Sequence, residues 1–157
     1  MQDSIHKPCN MIVKYTYDNF EKDVKNLIRR IKYSSIKFNT IVAIARGGLL
    51  LGVKLSHKLK VPLLIISARS YNGYKQENLV FNASFTRPLE SPALIVDDIT
   101  DTGNTLQAVT NYISSMGIDC KTATLCYKEK SVIKPTWYCR KVDNKDWIKF
   151  FWEWLRY

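Results

Sequence analysis

Short apolar runs, spaced by helix-length segments, constrain this chain most. "TIVAIA" at 40–45, "VPLLIIS" at 61–67 and "PALIV" at 92–96 are apolar nearly throughout. A strand with one wet face alternates. A run without alternation is buried on both faces, as in a parallel sheet covered by helices. Between these runs, Phe20, Val24, Leu27, Ile28 and Ile31 recur at helical spacing over 18–34, behind Asp18 as the expected N-cap. A second helix is expected from "RGG" to about Leu59, and a third over 103–116, ended by Gly117. Further strands are expected at 11–16, 79–85, 121–127 and 136–142, the last at an edge. The polar stretch 68–78, with its Asn72-Gly73 pair, reads as a mobile loop or hairpin tip. The tail "DWIKFFWEWLRY" has no assignable period. Strands alternating with helices predict an α/β fold: a mostly parallel central sheet flanked by helices, with a β-hairpin inserted after residue 67.

The length of 157 residues suits one domain, 1–157, with its own core. Lys and Arg number 24 against 14 acids, a formal net charge of +10, which favours anionic partners. The basic residues are scattered, so this excess does not separate a nucleic acid from a small phosphorylated substrate. Cys9, Cys120, Cys126 and Cys139 form no CxxC pair, and the only histidines are His6 and His57. Reduced, mostly buried thiols are therefore expected rather than a thiolate metal site or histidine-centred catalysis. No apolar run approaches the roughly 18 residues of a membrane span. The first residues carry no hydrophobic signal core, so a cytoplasmic address and no membrane partner are expected.

Against this basic background, "LIVDDITDTGNTL" (94–106) places three carboxylates at the end of a buried strand. In a parallel sheet, ligands sit beyond the carboxyl ends of strands. The turn over Thr100–Thr105 leads into a helix whose free N–H groups can hold an anion. Gly103 permits close approach, and Thr100, Thr102 and Thr105 offer hydroxyls. Such a loop binds phosphate without a lysine. Asp97 and Asp98 then suit a vicinal diol or a hydrated Mg²⁺, and Asp101 is left for a third task. A sugar phosphate meets both demands.

"VDDITDTGNTL" resembles the phosphoribosyl-pyrophosphate (PRPP) signature of the type I phosphoribosyltransferases: a hydrophobic run, two acids, two variable residues, a variable position, then Thr-Gly-x-Thr. Asp101 occupies the variable position, as in the 6-oxopurine members. "IVAIARGG" (41–48) is similar to the family's pyrophosphate loop, with Arg46, Gly47 and Gly48 matching. An Arg beside a bend of N–H groups is a sound diphosphate grip. "YK" at 127–128 and "DWIKFFWE" at 146–153 resemble the purine-contacting Lys and the Trp-Ile segment of bacterial xanthine–guanine enzymes, although Phe151 stands where Pro is common.

The resemblance implies a type I fold with a hairpin lid at about 68–84 and a small C-terminal hood at about 128–157. It implies transfer of phosphoribose from PRPP to N9 of guanine, hypoxanthine or xanthine, yielding a nucleoside 5′-monophosphate and pyrophosphate. Thr100, Asp101, Thr102, Gly103, Asn104 and Thr105 would cradle the 5′-phosphate. Asp97 and Asp98 would hold the ribose hydroxyls and Mg²⁺, partly through water and PRPP. Asp101 would be the general base, Lys128 the donor to O6, Trp147 the stacking platform, and the main chain of Ile148 the contact to the 2-position. Lys75 is the lid's candidate cation. Lys128, in "YKEK", reads equally well as a solvated lysine. A homodimer or homotetramer is implied, with the aromatic tail available as an interface. The fold also includes PRPP- or nucleotide-sensing regulators that bind RNA or DNA. The lack of a basic cluster or added DNA-binding element argues against that alternative.

Overall fold

Thr16 starts the first helix. Its hydroxyl accepts from the Asn19 N–H at 3.2 Å, and the Asn19 side chain accepts from the Thr16 N–H at 3.2 Å. The cap thus precedes Asp18, which lies in the first turn where its charge suits the positive helix end. The computed structural model describes residues 11–71, 78–83 and 85–154. Helix α1 spans Tyr17–Tyr33 and buries Phe20, Val24, Leu27 and Ile31 along one stripe. Helices α2 (Leu49–Leu59) and α3 (Asn104–Ser115) follow the runs at 40–45 and 92–96.

Strand β1 (Ile12–Tyr15) precedes α1. The main sheet holds β2 (Thr40–Ala45), β3 (Leu63–Tyr71), β4 (Asn78–Ala83), β5 (Ala93–Thr100), β6 (Cys120–Lys128) and β7 (Trp137–Val142), in the order β4-β3-β2-β5-β6-β7. Among the described residues only β4 is antiparallel, pairing β3 with Ser67 opposite Asn82. The expected hairpin after residue 67 is therefore present, although its strands run further than expected. Residues 72–77, with Lys75, lie outside the described residues.

Helices α1 and α2 cover one face, over a core that includes Leu27, Ile31, Leu51, Leu55, Leu94 and Val96. Helix α3 covers the other, where Leu106, Val109 and Ile113 meet Val42, Ile44 and Ile95. Each such buried side chain contributes about 1.5–3 kcal/mol. This two-sided burial is why β2 and β5 show no alternation.

The chain steps outward from β2 to β3, then returns to β2's other side as β5 and continues to β6 and β7. Its direction reverses between β2 and β5, and a crevice opens beyond the carboxyl ends of strands at such a point. The two motif loops, after β2 and after β5, are the ones that border it.

The tail has an assignment that its letters did not reveal. Strand β8 (Trp147–Phe150) pairs in parallel with β1, with Val13 opposite Ile148, in a separate two-stranded sheet. Its partner is at the far end of the chain, beyond any local period. Phe150 stacks on Trp152 at 4.6 Å, Tyr15 meets Phe150 edge-on at 5.1 Å, and Phe20 meets Phe151 at 5.8 Å. Much of the aromatic tail therefore packs inward. Beneath it, Asp23 accepts from Tyr15 Oη at 2.8 Å and from Arg140 Nε at 2.5 Å and Nη2 at 3.3 Å. Cys120, Cys126 and Cys139 are free thiols, and burial pushes Cys126 and Cys139 each up to about 12. Free thiols fit the expectation, but only Cys126 is buried and Cys120 and Cys139 are half-buried; Cys9 lies outside the described residues.

Candidate active site

Two glycines bring the loop after β2 onto β5. A Cβ at Gly48 would strike the carbonyl oxygens of Val96 and Ile44, so only glycine permits this approach. A Cβ at Gly47 would overlap the Asp98 carboxyl group. Arg46 is exposed beside them, and the Ala45–Arg46 peptide is cis. Arg46, Gly47 and Asp98 line a cleft of about 610 Å³ with Trp152 and Glu153 from the tail. That volume lies in the usual range for small-molecule sites. A concavity of about 520 Å³ lined by Phe85, Arg87, Leu89, Met116 and Ile118 among others holds none of the motif residues.

The aspartates are not beyond the strand, as expected, but within it. Strand β5 continues to Thr100 because Asp97, Ile99 and Thr100 pair with Thr124, Cys126 and Tyr127 of β6. Asp97 and Asp98 are half-buried there. Burial, then the Asp98 charge, push Asp97 well above the usual carboxylate range. Burial likewise pushes Asp98 up to about 6; the Ile99 N–H at 2.7 Å opposes this, and the Glu153 charge adds to it. A pair whose ionisation is disfavoured this way favours a cation. No group of three or more His, Cys, Asp or Glu suited to a metal exists among the described residues. Two hard carboxylates fit a Mg²⁺ that keeps waters and substrate phosphates as its other ligands.

The loop after β5 turns at Gly103, whose φ of +83° favours glycine. Gly103 is also the N-cap of α3 and offers no side chain, so the helix N-terminus is open to an anion. Asn104 N–H reaches Thr102 Oγ1 at 3.4 Å. Thr102 and Asn104 are exposed and Thr105 is half-buried. Thr100 differs: it is buried, and its hydroxyl donates to Thr124 Oγ1 at 3.3 Å. Its side chain is taken up by the sheet, because β5 extends to include it.

Lys128 ends β6 and is buried, with Nζ 3.3 Å from Asp101 Oδ1. The solvated-lysine reading is thereby overturned. Lys130, which sequence reasoning did not single out, places Nζ 2.9 Å from the same oxygen. No local pattern signals it, since residue 130 lies in the turn after β6, beyond the strand's alternation; Glu129, between the two lysines, pairs with Lys141 at 2.8 Å. Burial acts to raise Asp101, but the two lysines outweigh it and hold its carboxyl below the usual range. Trp147 is 63% exposed at the start of β8, and Ile148 is buried. Among the described residues no hydrogen bond or ion pair joins either side chain to Asp101 or Lys128.

This arrangement gathers a glycine-lined turn, an acid pair and an uncapped helix start at one reversal point. Residues 15–154 match the pattern of the phosphoribosyl transferase domain.

The chain belongs to that family.

The xanthine-guanine phosphoribosyltransferase of Chromohalobacter salexigens is 28% identical over 139 residues, covering 88% of this chain and 82% of that one. The crystal structure of a purine phosphoribosyltransferase from Pyrococcus horikoshii Ot3 matches with a TM-score of 0.80 at 30% identity, covering 92% of this chain and 95% of that one. The Helicobacter pylori xanthine-guanine-hypoxanthine phosphoribosyltransferase matches with a TM-score of 0.79 at 26% identity, over 90% and 94%. The mostly parallel sheet flanked by helices is thus the family's purine-type fold.

Proposed function

We propose that the chain transfers the 5-phosphoribosyl group of PRPP to N9 of a 6-oxopurine, giving a purine nucleoside 5′-monophosphate and pyrophosphate, in cytoplasmic purine salvage. The pairing of Asp101 with a buried Lys128, beside an open helix N-terminus, carries this reading. A base acceptor and a base-oxygen donor stand together where the phosphate would anchor the ribose.

In this reading the N–H groups of residues 101–105, with Thr102, Asn104 and Thr105, hold the 5′-phosphate. Asp97 and Asp98 hold the ribose hydroxyls and the hydrated cation. Arg46 and the N–H groups of Gly47 and Gly48 hold the diphosphate. Mg²⁺, when bound with PRPP, supplies positive charge that stabilises the departing pyrophosphate. N9 attacks C1′ as the C1′–O bond breaks, and the bonding pair leaves with pyrophosphate. Asp101 takes the N7 proton as this occurs, and Lys128 donates to O6. Adenine presents an amino group there, which sets donor against donor and offers Lys128 no acceptor, so it is rejected. Trp147 stacks on the base beside the Ile148 main chain. The hairpin at about 68–84 closes as a lid and the segment 128–157 forms a hood. The enzyme acts as a homodimer or homotetramer.

The deciding experiment incubates the protein with Mg²⁺, PRPP and guanine, hypoxanthine, xanthine, adenine or orotate in turn. Nucleotide is expected from the 6-oxopurines alone. Turnover of none of them, or of adenine or orotate in preference, sinks the proposal; no observation favours the nucleic-acid-binding regulator.

A further inference from the structure

Asp101 faces two ammonium groups, and the proposed reaction employs one. Lys128 Nζ lies 3.3 Å from Oδ1, and Lys130 Nζ lies 2.9 Å from the same atom. Oδ1 is buried, yet neither lysine meets it in hydrogen-bond alignment. No hydrogen bond among the described residues engages Oδ2. The two lysines differ in setting. The Lys128 side chain is 5% exposed, and that of Lys130 is 43% exposed.

The segment carrying Lys130 is tied to the loop carrying Asp101. Lys130 N–H donates to Asn144 Oδ1 at 3.1 Å, and Ser131 N–H to Lys128 O at 3.1 Å. Val132 N–H donates to Thr102 O at 2.9 Å, one residue from Asp101. A Cβ on Gly103 would collide with Ser131 Oγ and crowd Ile133, so the two segments are in direct contact. Lys130 is thereby held next to Asp101 by main-chain bonds that do not involve its ammonium group.

When Lys128 turns to the oxygen of an incoming base, a half-buried carboxylate would lose a counter-charge. We propose that Lys130 is the positioning residue of this site: it retains Asp101 by Oδ1 while Lys128 is handed over to the base, leaving Oδ2 to accept the base proton. The inference rests on the 6-oxopurine reading above. It assigns the specific task to a lysine that only the fold brings to Asp101. Among the described residues, the charged groups paired with Asp101 are these two lysines, from β6 and from the turn after it; Glu129, between them, is turned to Lys141.

The test uses Lys130→Met and Lys130→Arg in the full chain. In Lys130→Met the acidic limb of kcat/KM for the base should move to higher pH by about 0.5 or more, since less positive charge then favours ionised Asp101. Relative to the parent, loss should therefore be greatest at the acid end, at about pH 4, and small above about pH 6, with KM for PRPP unchanged and Lys130→Arg restoring the parent profile. A uniform loss at every pH, or a profile that overlays the parent's, overturns the proposal. A ¹³C-carboxyl titration of Asp101 by NMR needs no turnover. If the parent turns over no purine but Lys130→Met raises the Asp101 midpoint, the reaction reading fails while the clamp stands. An unmoved midpoint removes the clamp whatever the activity.

Discussion

Gly47 abuts the carboxyl group of Asp98 with no room for a methyl group between them. The loop after β2 and the acid pair on β5, far apart in the chain, are therefore one surface. Gly47→Ala must displace either the loop or the carboxylate. Its kcat/KM for PRPP should fall by about 10–100-fold, with an unchanged far-ultraviolet circular dichroism spectrum. Parent-like kinetics would show that this contact does not shape the substrate site.

Asp101→Asn keeps the shape of the side chain and removes its basicity. Turnover should drop by about 100-fold or more while PRPP binding, measured by calorimetry, stays near the parent value. Retained turnover would remove Asp101 as the base.

Burial disfavours the charge of Asp98 and pushes its carboxyl up to about 6, above the usual carboxylate range. The folded state thus holds a proton that the unfolded state has already released between about pH 4 and 6. Stability of the ligand-free protein should fall as pH rises through that window, and the loss should persist above it. Asp98→Asn removes the penalty. It should raise Tm by about 2–4 °C at pH 7.5 and change it little at pH 4. A lower Tm at pH 7.5 would contradict the assignment.

Lys128→Ala takes the donor from the base oxygen but leaves Lys130 beside Asp101. Preference for hypoxanthine over adenine, read as the ratio of kcat/KM values, should shrink by about tenfold or more. A mutant as selective as the parent would place the discrimination elsewhere.

Asp23 links Tyr15 of β1, Arg140 of β7 and its own helix α1. Asp23→Ala strands a guanidinium and a buried phenol. With Arg140 about a third exposed, the expected loss is about 2–3 kcal/mol in urea denaturation. A loss below about 0.5 kcal/mol would show that the cluster is incidental to stability.

The sheet was legible because burial on both faces leaves unbroken apolar runs, as in 40–45 and 92–96. The phosphate-type loop was legible because the turn needs glycine at 103 and small hydroxyl residues around it. Strand ends were less so: Asp97 to Thr100 look like a loop by composition but pair with β6, so Thr100 faces Thr124. Lys130 was missed because its significance depends on a turn folding back onto Thr102.

By itself, then, the order of residues determined a helix-flanked parallel sheet and a phosphate-type turn, because solvent exclusion and backbone sterics act over a few neighbouring positions. The approach of Gly47 to Asp98, the inward packing of the tail on β1, and the two lysines on one carboxylate oxygen were decided only by tertiary structure. Each joins segments remote in the chain, and proximity of that kind depends on how strands order and cross over, which no local pattern encodes.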